Sequence, residues 1–514
     1  MVSSVLPVNS GGDGYIASPR TGFGARDVFD RHAGEAPTIY VIGHYENANW
    51  ATEWVDGTGR ATISHVSKVL VATVEPVGPT MAGPAIRASH IARVAIEAGH
   101  DVTFVSLEGG STNPIVDLGV SGSAALEGSY DAAFLQGRAS LEAGDLMRSD
   151  TPLAFDWFDP FHLEALERSH GDRIRRHDLV DGARRTLRGQ AERGDFFVCS
   201  NEAQRDHWLG WLAAFGRCNS SNYDHDPHLR SLIDVAGFGT LGGHQANDGE
   251  TCPIRASFDH VGVDDPIILW AGGLHDWLDP VTAVEAMPTI QEHIPNARLV
   301  FLAGPHPNTS LEEMGARGRA IARAKQLGLF GDSVLFATQW VDYVNRFDWL
   351  TSATVGLVVS KAGVEAHFSH RTRLVDHLDA GLATVTTRDE PFGDALIAGG
   401  AAAGVLAGDV GALSSRIVGL LTNDEDRRRI AERSKSLATK YEWETTLASL
   451  LDWFGNPQMA ADRAAGGSRV STDDLHPAAK MLERARLHAS EGGAVQVAER
   501  AAEAAKRRLR QLRS

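Results

Sequence analysis

Apolar runs and helix-period patterns alternate along most of the chain. The first clear unit is the buried-strand run Lys68–Val74, followed by the loop Val77–Pro84, a helical pattern up to Gly99 and a second strand, Asp101–Ser106. A strand, a glycine-containing loop, a helix and another strand within about 40 residues form a βαβ unit, which predicts a parallel sheet. Further strands of this half are predicted at Asp131–Leu135, Leu153–Asp156, Phe196–Cys199 and Ile233–Gly239.

The same alternation restarts after residues 241–264, a stretch rich in Gly, Asn and Asp that we interpret as a linker. The run Pro266–Trp270 leads into Gly272-Gly273 and a helix over Val281–His293, and an amphipathic helix over Tyr441–Phe454 ends this half. The pattern therefore predicts an α/β chain with two doubly wound, Rossmann-like domains. Further strands of the second half are predicted at 298–303, 333–336, 355–359 and 383–387.

The ends of the chain lack this alternation. Residues 1 to about 36 show little periodicity, and Thr38–Ile42 is a short strand candidate. The C-terminal end contains two helical segments rich in Ala, Arg and Glu, near 476–489 and 494–513, which suit a solvated helix, self-association, or contact with an anion or a membrane surface. The predicted divisions are an extension at 1–65, Rossmann-like domains at 66–245 and 260–455, and a linker and helical tail at 456–514.

Composition narrows the classes of function. Of 514 residues, 43% are hydrophobic and 22% charged, which is typical of a globular chain. The formal net charge of −17 argues against general nucleic-acid binding. No run reaches transmembrane length and no signal pattern opens the chain, so we expect a cytoplasmic protein, with peripheral contact at the inner membrane face through the tail as an option. The scattered cysteines suggest neither a disulfide framework nor a zinc site: Cys199, Cys218 and Cys252.

The stretch Ser360–Gly381 carries charge where a helix would not favour it. Its second part predicts a short helix with Ser369 as the N-cap and Gly381 as the glycine that ends it. Cations in the first turn, such as Arg371 and Arg373, cost about 0.3–1 kcal/mol each against the helix dipole. A bound phosphate would offset this charge, because helix N-termini bind anions. The alternative is pairing with nearby acids: Glu365, Asp376 and Asp379.

Two tandem domains of this kind predict an active site in the central cleft that they face. Ligands of doubly wound sheets bind beyond the carboxyl ends of the strands, where the loops Gly78-x4-Gly83 and Gly272-Gly273 let a ligand approach the backbone. Neither loop contains GxGxxG or a Walker lysine, so nicotinamide binding is not supported. A tight turn without a ligand is the alternative for each loop.

Short motifs follow one another along both halves. The second half contains Gly272-Gly273, Trp277, Asp279-Pro280, Gly304-x-His306-Pro-Asn308, Trp340-Val341 and Phe368-Ser-x-Arg-Thr-Arg373-x2-Asp376-x4-Gly381. The first half contains Gly78-Pro-Thr-Met-Ala-Gly-Pro-Ala-Ile-Arg87, Phe158-Asp-Pro-Phe-His-Leu-Glu164 and Cys199-Ser-Asn-Glu-x-Gln-Arg-Asp-His-Trp208. Together, over residues 66–455, they resemble retaining GT-B glycosyltransferases of the family 4 type, in a bacterial subgroup associated with polysaccharide and glycoconjugate assembly.

The resemblance implies a GT-B fold and transfer of a sugar from a nucleoside diphosphate sugar, of UDP or GDP type, with retention of configuration. It implies neither a cofactor nor a metal, and no DxD motif stands in a suitable context. The acceptor would be a carbohydrate, a lipid-linked molecule or a small molecule. A non-hydrolysing nucleotide-sugar epimerase and a catalytically silent scaffold are the alternatives.

The resemblance also assigns roles in the donor site. It places Asp376 on the ribose hydroxyls, where an intrahelical pair with Arg373 is the alternative, and Glu365 on hydroxyls of the donor sugar. Trp340 and Val341 fall beside the base, although a buried tryptophan is the ordinary alternative. The donor-binding set is Gly272, Gly273, Trp277, His306, Trp340, Val341, Glu365, Phe368, Ser369, Arg371, Arg373 and Asp376.

One departure from the family concerns the diphosphate. The Arg and Lys that hold it in many relatives are absent, and Gly273 is followed by His275, Asp276 and Trp277. Arg371 and Arg373 are the predicted replacements, since arginine forks suit phosphate oxygens. Candidate catalytic residues are Asp159, the preferred one, with Asp156, His162 and Arg371, and the acceptor-side loop contributes Thr80, Gly83 and Arg87. The acids are equally compatible with turn roles, because Asp-Pro is common in turns.

Overall fold

The structure is a computed structural model that describes residues 40–41, 53–54, 66–110, 112–169, 172–242, 252–304, 306–308 and 314–466. The predicted N-terminal arm and the tail segments near 476–489 and 494–513 lie outside these ranges. The chain divides into two compact units, Met1–Thr62 and Ile63–Ser514. In the first unit, strand β1 (Tyr40–Val41) pairs antiparallel with β2 (Glu53–Trp54), so the strand predicted near residue 40 is present but shorter.

The first sheet of the second unit contains seven described strands, all parallel, in the order β5-β4-β3-β6-β7-β8-β9. Its central strands are fully buried on both faces, which is why they read as continuous apolar runs. The predicted strands are confirmed, and the two-residue edge strand β5 was missed. The strands are β3 (Lys68–Thr73), β4 (Asp101–Ser106), β5 (Val120–Ser121), β6 (Ala132–Gln136), β7 (Leu153–Asp156), β8 (Phe196–Cys199) and β9 (Ile233–Val235).

The second sheet contains six described parallel strands in the order β12-β11-β10-β13-β14-β15. Numbered within the sheet, this order is 3-2-1-4-5-6, that of a doubly wound nucleotide-binding fold. The predicted two-sheet α/β architecture is therefore confirmed. The strands are β10 (Ile267–Ala271), β11 (Arg298–Leu302), β12 (Val334–Phe336), β13 (Val355–Val358), β14 (Thr384–Thr387) and β15 (Ala403–Val405).

Helices cover both faces of the two sheets. Those between the strands of the first sheet are α1 (Gly83–Glu97), α2 (Gly144–Arg148), α3 (Phe161–Glu167), α4 (Arg173–Arg193), α5 (Glu202–Ala214) and α6 (Ser220–His225). The following ones are α7 (Pro253–Ser257), α8 (Pro280–His293), α9 (Gly315–Gln326), α10 (Arg346–Thr351), α11 (Val364–His367), α12 (Thr372–Ala380), α13 (Pro391–Ala398), α14 (Val410–Thr422) and α15 (Asp424–Ala438). The final helices are α16 (Trp443–Thr446), α17 (Ala448–Gly455) and α18 (Ala461–Ala464). Within the described residues, none of the helices is both long and apolar enough to cross a membrane.

The C-terminal helices return to the first sheet. Trp443, Leu447, Leu450 and Phe454 are buried in the same apolar core as the first sheet and α1. The Ser67 hydroxyl donates to the Phe454 carbonyl at 2.7 Å, which fixes this return at the start of β3. The segment predicted as one amphipathic helix is thus two short helices joined at Leu447, and their apolar side completes the core of the first half.

Two segments predicted as linkers contain ordered helices. Helix α7 lies in the predicted 241–264 linker, and its Ile254 is fully buried in the core of the second half. Helix α18 lies in the predicted 456–474 linker, where Asp462 pairs with Arg217 of the first half at 2.7 Å. The sequence predicts linkers here because short helices buried by tertiary contacts leave little periodicity in the sequence.

Candidate active site

The first βα loop contacts the second half of the chain. The Trp340 indole Nε1–H donates to the Met81 carbonyl at 3.1 Å, and the Tyr343 N–H donates to the Pro79 carbonyl at 2.8 Å. The predicted loop Val77–Pro84 and the predicted base-side Trp340 therefore meet at the edge where the strands of both sheets end.

The start of α1 lies beside the start of α12. A Cβ atom placed on Gly83 would be 3.9 Å from the Thr372 hydroxyl oxygen. Thr80, half-buried in the same loop, lies on this side of the cleft. Two helix N-termini, from α1 and α12, thus face one region, and their free N–H groups favour an anion there.

Arg373 lies against the glycine loop that follows β10. Gly272 has a φ of +109°, which favours glycine, and a Cβ there would be 3.0 Å from the Arg373 Nε. The Arg373 Nη2 donates to the Gly273 carbonyl, and the guanidinium carbon is 5.3 Å from the centre of the Trp270 ring. Arg373 Nη1 is buried and has no hydrogen-bond partner among the described residues. Burial, together with repulsion from Arg371, lowers the pKa of Arg373 to about 9.

Arg371 has a protein partner. Its Nη1 and Nη2 donate to the two carboxylate oxygens of Glu365 at 2.8 and 2.7 Å, and its backbone N–H donates to Glu390 at 3.2 Å. Burial opposes the charge of Arg371, but the Glu365 carboxylate outweighs it and raises the Arg371 pKa. Of the two explanations for the cations, acid pairing applies to Arg371. The phosphate role of Arg373 stays a prediction, and its Nη1 has no hydrogen-bond partner among the described residues.

The predicted N-cap was wrong. Helix α12 begins at Thr372, with Arg371 at the N-cap position, and ends at Gly381 in the left-handed conformation, as expected. Ser369 instead donates to the Ala366 carbonyl at 2.9 Å, at the end of α11, and its own carbonyl accepts from Asn201 of the first half at 3.0 Å. The serine caps nothing because α11 and α12 are separate helices joined by a turn.

Asp376 pairs with an arginine that sequence reasoning missed. Its carboxylate accepts from Arg346 at 3.4 Å, so the alternative partner, Arg373, is not the one in the structure. The Asp376 side chain is 37% exposed, which leaves an oxygen open to a ligand hydroxyl. Arg346 lies in α10, and its guanidinium carbon is 3.8 Å from the centre of the Tyr343 ring. Arg346 and Asp376 are 30 residues apart, and no spacing rule in the sequence indicates that they pair.

Carboxylates from both halves meet in the cleft. Burial, then repulsion from Asp156, raises the pKa of Asp159 to about 7, and the charge of Glu365 contributes. Burial and the charges of Asp159 and Glu365 raise the pKa of Glu164 well above its usual range, while Arg371 lowers it. We call Asp159, Glu164 and Glu365 the acidic cluster. Glu164 belongs to the motif Phe158–Glu164 noted in the sequence, but it was not among the predicted site residues.

Asp156 and Arg87 form a buried pair inside the first half. Both side chains are 0% exposed, and the Arg87 Nε donates to Asp156 at 2.9 Å. Other Arg87 N–H groups donate to the Gly237 and Ala236 carbonyls at 3.0 and 2.7 Å, and Gln136 donates to Asp156 at 3.0 Å. The structure therefore pairs Arg87 and Asp156 with each other and with groups of the first half, while their roles in the cleft stay predictions.

His162 lies in an aromatic group on α3 and α5. Its Nε2 is 3.1 Å from the Nε2 of His207, and its ring contacts Trp208 and Trp211. Burial and the neighbouring His207 lower the pKa of His162 to about 3, so the ring is neutral at physiological pH. His207 in turn contacts Phe368, 4.5 Å between ring centres, which joins this group to the second half.

Aromatic and imidazole rings line the side of the cleft that the second half forms. His275 stacks on Trp277 with 4.7 Å between ring centres, and His306 meets Trp340 edge to face at 5.3 Å. Burial, then the positive charge of Arg373, lowers the pKa of His275 well below its usual range. Val341, beside Trp340, packs against the core of the second half. Because burial lowers the pKa of both His275 and His306, these histidines add no further positive charge beside Arg373.

Comparison with known proteins bears on the fold. No protein-family model matches the sequence, and no curated protein matches it. Among solved structures, sucrose-phosphate synthase from Thermosynechococcus elongatus is similar with a TM-score of 0.56, 13% identity, and coverage of 75% of this chain and 98% of that one. HepE from Anabaena, solved with UDP-glucose, has a TM-score of 0.54 and 12% identity over 75% and 98% of the chains. WaaG, a glycosyltransferase involved in lipopolysaccharide biosynthesis, has a TM-score of 0.54 and 13% identity, and the match covers 76% of this chain and 100% of that one.

The chain has the GT-B fold. Identities this low establish the fold and its layout of two parallel-sheet domains. The GT-B cleft is the place where Arg373, Asp376 and the acidic cluster converge. The sequence prediction named Arg373, Asp376 and two members of the acidic cluster, Asp159 and Glu365, and it missed Glu164 and the Asp376 partner Arg346.

A glycine next to the GT-B cleft gives a first test. A Cβ on Gly304 would lie 2.2 Å from the Gln339 carbonyl carbon and 2.4 Å from the Trp340 nitrogen. We expect Gly304→Ala to displace the Trp340 segment and to lower the free energy of unfolding by about 1–3 kcal/mol. Urea denaturation followed by tryptophan fluorescence measures this. Gly318→Ala, in α9 with no atom within 4 Å of its Cβ, is the matched control and is expected to be neutral or slightly stabilising. Equal effects in the two variants would contradict the prediction.

Proposed function

We propose that the chain is a glycosyltransferase that moves a sugar from a nucleoside diphosphate sugar, of UDP or GDP type, to an acceptor hydroxyl with retention of anomeric configuration. The buried Arg373 Nη1 without a described partner, at the glycine loop of the cleft, is the observation that carries this proposal. Leaving a buried cationic N–H unsatisfied is costly, and a diphosphate oxygen would supply the acceptor. The GT-B fold supports the proposal, since HepE of the same fold was solved with UDP-glucose.

The transfer itself requires little protein chemistry. The acceptor oxygen bonds to the anomeric carbon on the face from which the bond to the diphosphate oxygen breaks, and the acceptor proton passes to the leaving diphosphate. Arg373 and the N-terminus of α12 would stabilise the negative charge that develops on the diphosphate. Asp376 would hold the ribose, and Glu365, fixed by Arg371, would accept hydrogen bonds from the sugar. The acceptor, a carbohydrate, a lipid-linked molecule or a small molecule, would approach from the Asp159 side.

Two measurements test the proposal. Thermal shift against UDP, GDP, ADP and dTDP should show one nucleotide that raises the melting temperature, because a ligand of the native state stabilises it by mass action. The matching nucleotide sugar should then be slowly hydrolysed without an acceptor, and proton NMR of the first product should show the donor's anomeric configuration. Inversion would contradict retention, whereas absence of any nucleotide response would contradict the donor site altogether.

Asp159 should impose a pH dependence on activity. Its pKa of about 7 means that the carboxylate able to accept a hydrogen bond from the acceptor forms only as the pH rises through 7. We expect kcat/KM to rise with pH up to this value, and Asp159→Asn to remove the inflection and lower kcat/KM roughly 10- to 100-fold, the value of a charged hydrogen bond.

Stability should change in the opposite direction. Because the pKa of Asp159 is higher in the folded state than in the unfolded state, the native state binds the proton more tightly. The contribution of Asp159 to the free energy of unfolding therefore falls as the pH rises from about 4 to about 7. Asp159→Asn should therefore leave the melting temperature at pH 8 unchanged or raised. A variant that loses activity and stability together would show that Asp159 has only a structural role.

A further inference from the structure

A second cavity lies away from the cleft, at the amino-terminal edge of the first sheet. It has a volume of about 310 Å³ and is bounded on one side by Asp195-Phe196 and Ser231-Leu232, where β8 and β9 begin. Residues of the segment 449–461 form the other side. Since the GT-B cleft lies at the carboxyl ends of parallel strands, this cavity opens at the opposite edge. Its volume is at the lower end of that of ligand sites, about 300–1,000 Å³.

The wall contributed by the C-terminal segment is fixed to the sheet. The Ala460 N–H donates to Asp195 at 3.0 Å, and the Ser449 hydroxyl donates to the Val235 carbonyl at 2.9 Å. These two hydrogen bonds hold the C-terminal segment to the sheet on both sides of the cavity, so the cavity is formed before any ligand binds.

The charges of the lining are largely paired. Asp195 is bonded by Arg193 at 2.9 Å and by Arg463, and Asp234 is bonded by Arg230. Arg230 is the one lysine or arginine among the described lining residues, and its second partner is a further carboxylate. A phosphate or another anion would thus find no available cation here, in a chain whose net charge is −17.

The remaining surface combines an aromatic ring with polar side chains, among them the exposed carboxylate of Asp452. The indole of Trp453 is half-buried and stacks on Phe196, with ring centres 5.7 Å apart and planes 16° from parallel. The exposed side chains of His225, Asn456 and Gln458 supply both donors and acceptors. An amphipathic ring beside amides matches a pyranose, which has apolar C–H faces and a rim of hydroxyl groups.

We propose that this cavity binds a unit of a neutral oligosaccharide, apart from the catalytic cleft. The proposal depends on the cavity alone and holds whichever donor the cleft takes. A chain that carries such a site would stay attached to a saccharide through a face that the transfer reaction does not occupy, which raises the local concentration of linked acceptors.

The experiment uses the full chain and saturation-transfer NMR with maltotriose, cellotriose and mannotriose. At least one trisaccharide should bind, and Trp453→Ala should weaken it roughly tenfold or more, as expected for loss of an aromatic anchor. Because Trp453 also packs on Phe196, the double variant Asn456→Ala/Gln458→Ala removes only exposed amides and should weaken binding as well. Gln326→Ala, an exposed glutamine of the second half, is the matched control and should bind normally.

Other results would overturn the proposal. One such result is that no trisaccharide binds at millimolar concentration. Displacement of the trisaccharide by UDP would place it in the catalytic cleft instead. Displacement by spermidine would show that the cavity binds cations. Unchanged affinity in the double variant would also overturn it. The nucleotide thermal shift separates the two proposals, since a failure of the donor site leaves trisaccharide binding intact.

Discussion

Arg373→Ala is expected to weaken nucleoside diphosphate binding roughly 10- to 100-fold, the value of charge-assisted hydrogen bonds to phosphate. The Arg373 Nη1 lies in the cleft with no described partner, and Nη2 is anchored on the Gly273 carbonyl, so the fork is held ready for an oxygen ligand. Isothermal titration with the nucleotide identified by thermal shift measures the change. Arg373→Lys should give an intermediate affinity, because it keeps the charge and loses the fork.

The stability of the same variant decides between a ligand role and a structural role. Burial and repulsion from Arg371 disfavour the charge on Arg373, so its removal should not lower the melting temperature of the free protein. Arg433→Ala is the control, since the exposed Arg433 also donates to a glycine carbonyl, Gly399, at 2.8 Å but lies on α15. A loss of affinity that accompanies an equal loss of stability in Arg373→Ala would refute the phosphate assignment.

Arg87→Ala is expected to lower the free energy of unfolding by about 3–5 kcal/mol, because it leaves the Asp156 carboxylate buried and without its cation. The Arg87 guanidinium also lies 5.4 and 5.0 Å from the Phe158 and Phe238 rings, so its loss leaves a cavity between them. Urea denaturation should show a lower midpoint.

The control for this variant is an exposed pair of the same two residue types. Arg148 and Asp145 are 73% and 70% exposed, and Arg148→Ala should cost at most about 1 kcal/mol. In the double variant Arg87→Ala/Asp156→Ala, the loss should be smaller than the sum of the single losses, since the two residues share one interaction. An Arg87→Ala protein with normal stability but impaired acceptor binding would contradict this expectation and support the acceptor-side role predicted from the sequence.

The strands were accessible from the sequence because parallel strands covered on both faces read as unbroken apolar runs. Asp101–Ser106, Leu153–Asp156 and Phe196–Cys199 were predicted with the bounds that the structure shows. Short pieces stabilised by distant partners were not accessible, as the edge strand Val120–Ser121 and the break at Leu447 illustrate. Their conformation is decided by what they pack against, and local patterns do not contain that information.

The candidate site was predictable in position and less so in detail. The misplaced charge at the start of α12 was visible in the sequence, but two arginines two residues apart differ only in their surroundings. Arg371 meets Glu365 because the turn between α11 and α12 folds one onto the other, whereas Arg373 points toward Gly273. Likewise, the partner of Asp376 is Arg346, thirty residues earlier in the chain, and no spacing rule links them.

The return of α16 and α17 to the first sheet has a consequence for how the protein is made. The last strand of that sheet ends at Val235, yet Phe454 of the same core is translated about 220 residues later. At about 5–20 residues per second, the ribosome would need roughly 10 to 40 s to supply it. During this interval the nascent chain exposes the apolar patch that Trp443, Leu447, Leu450 and Phe454 cover in the folded protein, and a chaperone bound near the ribosome would have a defined surface to shield.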